Sequence, residues 1–114
     1  MPRIFTTFSG ITILVGKNAK ENDMLCLASD MIPFYRWFHA KDVPGAHVIL
    51  QSEFVTEADI LEAAALALHF SKAENKLNGL VEHCLLKDVY KPPRSTPGEV
   101  VTRNSVTLRL KNRK

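Results

Sequence analysis

Trp37-Phe-His-Ala-Lys-Asp-Val-Pro-Gly-Ala-His47 decides the reading of this 114-residue chain. The stretch packs an indole, two imidazoles, a lysine and a Pro-Gly dipeptide into the length of one hairpin. Trp37 and His39 lie two apart, so in a strand both project from one face, and Val43-Pro44-Gly45-Ala46 has Pro and Gly where a type II turn needs them. With the reversal over residues 41–45, position 39 falls opposite 47, and both imidazoles sit beside Trp37 on a single face. Phe38, Ala46, Val48 and Leu50 occupy the other face and supply the core. A single long helix covers only one face of a sheet, so the Trp37, His39 and His47 side is expected to be open to solvent.

Upstream, residues 3–8 and 11–15 read as two strands around Ser9-Gly10, with Ile11, Ile13 and Val15 alternating against Thr12 and Leu14. Asn18, followed by Glu21 three residues on, resembles a capping box that opens a short helix over about 19–27, and Pro33 blocks its extension. Downstream, Thr56 and Asp59 start an alanine-rich helix over about 57–73, whose small side chains allow close approach to a sheet. Residues 80–86 form another strand. The three prolines of Lys91-Pro-Pro-Arg-Ser-Thr-Pro-Gly98 remove donors and fix φ, so this segment is a surface loop. Val100–Thr102 and Ser105–Leu110 read as a closing hairpin around Arg103-Asn104, with Val106, Leu108 and Leu110 inward and Thr107, Arg109 and Lys111 outward. The fold expected is α+β: an antiparallel or mixed sheet of about six to seven strands, the long helix packed on one face and the short one near 19–27.

Residues 1–114 fit one domain. Hydrophobic residues make up 46% and charged residues 24%, ordinary for a globular protein. No apolar run approaches the roughly 20 residues of a membrane span, and no signal-peptide pattern is present, so a cytoplasmic protein with no membrane partner is expected. Cys26 and Cys84, without a Cys-x-x-Cys pair, read as reduced, buried, metal-free thiols. Net charge is +3, but residues 87–114 carry eight Lys/Arg against Asp88 and Glu99, whereas residues 1–86 carry seven against ten acidic residues. That asymmetry is either the footprint of a phosphate-binding protein or a solvated, solubilising tail.

Gly16-Lys17-Asn18 at a strand-to-helix junction either cradles phosphate through free N–H groups or merely caps the helix. Trp37 either stacks on an unpaired base or fills the core. His39 and His47 lack a third ligand at a recognisable spacing, which leaves hydrogen bonding to backbone or phosphate, or acid–base work on RNA with Asp42 as orienting carboxylate. His69 and His83 read as structural. No nucleophile elbow, phosphate-cradling glycine loop or metal triad favours catalysis, and no cofactor is implied.

Four segments in register carry a resemblance: Gly16-Lys-Asn-Ala-Lys-Glu-Asn-Asp23, Trp37 to Val48, Glu62 to Lys72, and Val89-Tyr-Lys-Pro through Pro97-Gly-Glu-Val100. Over about residues 10–110 the chain resembles the NFACT RNA-binding domain, found in ribosome-associated quality-control factors and in short free-standing bacterial proteins for which tRNA thiolation with sulfur-carrier partners has been proposed. Two departures stand out: Ala46 where the family usually has serine, and Tyr35 where an acidic residue is common. The resemblance implies a non-catalytic module binding tRNA or rRNA, with the ribosome or a sulfur-carrier protein as partner. Phosphate contacts are expected from Lys17, Lys41, Lys72, Lys91 and Arg94, a contact surface from Trp37, His39 and His47, and support from the motif residues Gly16, Asn18, Asn22, Asp23, Asp42 and Gly45.

Overall fold

The computed structural model describes residues 1–28, 30–72 and 79–110. Alternating apolar residues build six strands of one sheet: β1 (Arg3–Thr6), β2 (Thr12–Val15), β3 (Arg36–Ala40), β4 (Val48–Leu50), β5 (Gly79–Leu85) and β8 (Val106–Leu110). Every pairing in it is antiparallel, in the order β1-β2-β4-β3-β5-β8. A separate two-stranded ribbon joins β6 (Val89–Tyr90) to β7 (Val101–Thr102). The expected α+β class with an antiparallel sheet is therefore the observed one.

Helix α1 (Ala19–Leu27) starts where expected, with Asn18 Oδ1 accepting the Glu21 N–H at 2.9 Å. Helix α2 (Glu57–His69) opens on a full capping box: Thr56 Oγ1 accepts the Asp59 N–H and the Asp59 carboxylate accepts the Thr56 N–H. It ends at His69, short of the expected 73, because Ser71 folds back through its hydroxyl and N–H onto Leu68 O and the Lys72 N–H donates to Pro44 O. Ala63, Ala64, Ala67 and Leu68 lie flat on the sheet against Phe38, Val48, Leu50 and Val81. Each fully buried large side chain there contributes roughly 1.5–3 kcal/mol.

The second face is covered too. Leu25 of α1, Trp37, Ile49, Cys84 and Leu86 form another buried cluster, flanked by Leu14, Cys26, Met31, Tyr35, Val89 and Val100. The expected open face is thereby corrected: α1 and the 86–100 segment roof it, and Trp37 and His47 are only 1% and 2% exposed. The expected closing hairpin is corrected as well. β7 pairs with β6 and β8 with β5, while Asn104 takes φ 53° and turns the chain from one to the other. Val106, read as inward, is 55% exposed on the edge strand. Lys111 lies outside the described residues.

Candidate nucleic-acid interface

The β3–β4 register pairs Arg36, Trp37 and Phe38 with Leu50, Ile49 and Val48, which carries 39 opposite 47 as the sequence implied. The rings meet on one face: Trp37 stacks on His39 (5.8 Å between centroids, 3°), and His47 sets its edge against both, 5.3 Å from Trp37 and 5.2 Å from His39. The turn itself differs from the expected type II. Asp42 holds the positive φ (60°), and Gly45 is not in the left-handed region. Gly45 is glycine for another reason: a Cβ there would stand 2.9 Å from Ser71 Cβ, at the bridge between the two segments.

Burial sets the chemistry of this cluster. Desolvation disfavours the charged imidazole, so His39 lies below its ordinary value and His47, further opposed by His39, is pushed down to about 4. His47 Nδ1 lies 3.4 Å from the Cys26 sulfur. Burial lifts both Cys26 and Cys84 to about 12, so both are protonated, free thiols at neutral pH. Among the described residues, Trp37 Nε1 is buried without a geometrically ideal hydrogen-bond partner. Trp37 and His47 are therefore packing elements, and the half-buried His39 is the member of the trio that reaches the groove described next.

Between the start of α1 and the 44–46 segment runs a groove of about 840 Å³. Seven of the sequence-selected residues line it: Gly16, Lys17, Asn18, Asn22, His39, Gly45 and Lys72. Arg3, His69, Phe70 and the Thr96–Glu99 turn complete it. Arg3 lies over the Phe70 ring (4.7 Å), and His69 meets the same ring edge-on at 4.7 Å. A neighbouring hollow of about 530 Å³ takes in Trp37, Asp42 and His47, and shares His39, Pro44, Gly98 and Glu99 with the groove.

Several expected contacts have other partners. The Gly16 N–H donates to His47 O and the Lys17 N–H to the Glu21 carboxylate, so the junction offers a phosphate the Lys17 side chain rather than those two amides. Asn22 and Asp23 are engaged by other parts of the chain. Asn22 Oδ1 accepts the His47 N–H (3.0 Å), whereas Asp23 accepts the Gly98 N–H (2.9 Å) and pairs with Lys91 (3.3 Å). Lys91 also donates to Thr96 O and Glu99 O, which makes it a clamp on the proline loop. Arg94 is exposed at φ 64°, and Lys41 and Arg94 do not line the groove.

Sequence reading missed Arg3 and His69. Arg3 could have been found from the hairpin register, which pairs it with Val15 beside Gly16. His69 was read as structural, yet it is exposed on one stripe with Leu61 and Ala65, spaced by four. His83 does stack in the core, on Phe38 at 5.3 Å. Among the described residues, no three His, Cys, Asp or Glu side chains converge as metal ligands, and no helix is long and apolar enough to cross a membrane.

The family model of the NFACT protein RNA binding domain matches residues 1–106. The Rqc2 homolog RqcH of Bacillus subtilis (strain 168) is 40% identical over 99 residues, 84% of this chain and 17% of that protein. The RqcH of Streptococcus suis (strain 05ZYH33) is 37% identical over 109 residues, 95% of this chain and 20% of that protein. The chain thus spans about a fifth of the length of these relatives. The solved structure of the C-terminal part of the fibronectin/fibrinogen-binding protein from Streptococcus suis superposes with a TM-score of 0.90 at 35% identity, covering 99% of this chain and 46% of that one.

Proposed function

The chain belongs to the NFACT RNA-binding domain family, and from that premise we propose that its groove binds the phosphate backbone of a structured RNA. The observation that carries the reading is the convergence of Arg3, Lys17 and Lys72, from three distant parts of the sequence, around one concave surface. Glu99 is the carboxylate that shares this lining. The RqcH relatives support a cytoplasmic setting in ribosome-associated quality control, with rRNA or tRNA on the ribosome as the ligand.

Catalysis by the His39 and His47 pair is disfavoured, because burial leaves His47 2% exposed and pushes its imidazole down to about 4, which makes it a weak base near neutral pH. Titration of a structured RNA at several salt concentrations tests the binding. Three cations give a log K against log salt slope of about −2 to −3, and charge reversal at Lys17 and Lys72 flattens it. Affinity indifferent to salt would remove the polyanion reading. Crosslinking and sequencing of bound RNA then separates the settings: recovery of rRNA with tRNA supports quality control, whereas recovery of tRNA alone supports tRNA modification with a sulfur-carrier partner.

A further inference from the structure

Beside the cationic groove lies a second depression, lined by Lys20, Asp23, Met24, Leu27, Ala28 and Pro97, with a volume of about 500 Å³. Its walls are mostly carbon. Met24 and Leu27 are 59% and 62% exposed, whereas Leu25 between them is buried in the core. Lys20, Asp23, Met24 and Leu27 follow the spacing i, i+3, i+4, i+7, so one stripe of α1 supplies four of the six lining residues. Lys17, Asn18, Ala19 and Asn22 of the same region face the groove, and Pro97 lines both depressions.

We propose that this cleft takes one unpaired base of the RNA whose phosphates lie in the groove, so that the protein selects a loop, bulge or end over an uninterrupted duplex. The inference rests on the RNA reading of the groove. Charge favours this occupant. Lys17, just before the Asn18 cap of α1, and Lys20, in its first turn, put cations at the groove and at the cleft, so a polyanion leaving the groove passes the cleft mouth. Asp23, the acidic residue of the cleft, is already compensated by Lys91 at 3.3 Å and by the Gly98 N–H at 2.9 Å. Shape and polarity agree as well: a base presents flat apolar faces, which a thioether, a leucine and a proline ring can cover. Bases inside an A-form duplex are stacked and paired, and cannot offer those faces.

The test is fluorescence anisotropy at one salt concentration with three labelled RNAs: a duplex, the same duplex with a one-nucleotide bulge, and the bulged duplex with an abasic bulge. The bulged RNA is expected to bind about fivefold to a hundredfold more tightly than the duplex, the range one stacked base supplies, and the abasic RNA to fall back to duplex affinity. The double variant Met24→Ser, Leu27→Ser alters exposed side chains, and is expected to lose the bulge preference while keeping duplex affinity and salt slope. Equal affinity of the parent for bulge and duplex overturns the cleft and leaves the groove standing. A preference that survives the double variant also overturns it, by placing the base elsewhere. Binding to none of the three RNAs overturns the groove reading itself. Indifference to the bulge, combined with self-association that the double variant abolishes in sedimentation velocity, assigns the cleft to a second copy of the chain instead.

Discussion

Asn22 Oδ1 accepts the backbone N–H of His47 at 3.0 Å, and this bond ties α1 to the residue before β4. Gly16, whose own N–H donates to His47 O, lies so close to the same amide that a Cβ would stand 2.1 Å from its oxygen. The end of β2, helix α1 and the residue before β4 therefore meet at one side chain. The groove takes its shape from this meeting, because Gly16 and Lys17 line one side and Gly45 and Ala46 another.

Gly16→Ala is expected to displace the Asn22 amide and strand the His47 N–H. Loss of that buried hydrogen bond costs roughly 1–3 kcal/mol, read as a lower urea midpoint, and RNA affinity should fall with it. An alanine variant as stable as the parent would mean that Asn22 can move aside freely.

His47 makes stability depend on pH. Its folded value, about 4, lies below its ordinary 6.5, so the unfolded chain takes up the proton first. Stability is complete above about pH 6.5 and drains away as pH falls toward 4, by an amount on the order of 3 kcal/mol. His39, lowered in the same direction, adds to the loss. Glu21 and Asp59, held below the usual carboxylate range chiefly by the N-terminal ammonium and the Thr56 N–H respectively, contribute only at lower pH. Urea midpoints at pH 7 and pH 4.5 should differ clearly. Coincident midpoints would show that His47 charges in place without opening the fold.

Trp37, the single tryptophan, should behave as a core residue. Its emission is expected at short wavelength, resistant to iodide until the chain unfolds, and unaltered by RNA. Strong quenching by iodide in the native state, or by bound RNA through direct stacking, would contradict the 1% exposure and the roof formed by α1.

Lys17 and Lys91 should separate cleanly. Lys17→Met is expected to lower the magnitude of the salt slope by about 1 with stability nearly unchanged, as for removal of one phosphate contact. Lys91→Met should instead lower the melting temperature and leave the slope alone, since its ammonium holds Asp23, Thr96 O and Glu99 O. A slope reduced by Lys91→Met would restore this lysine to the RNA surface.

With both thiols lifted to about 12, Cys26 and Cys84 should react slowly with an aromatic disulfide reagent at pH 8 and rapidly in urea. Rapid native-state labelling of either would show that the α1 roof opens.

The chain alone determined the elements whose signals are local. The period of two in β2 and β3, the Asn18 and Thr56 caps and the proline loop each depend on neighbours a few residues away, and each stands where the sequence placed it. The 39–47 alignment was equally legible, because strand pairing fixes which side chains share a face. Only the tertiary structure decided that this face is closed. Its cover comes from α1 and the 86–100 segment, whose packing partners lie up to several tens of residues away, and no periodicity within the hairpin records whether a second layer will land on it. The same reason separates the lysines: Lys17 lines a groove while Lys91 is spent on Asp23, 68 positions away in sequence.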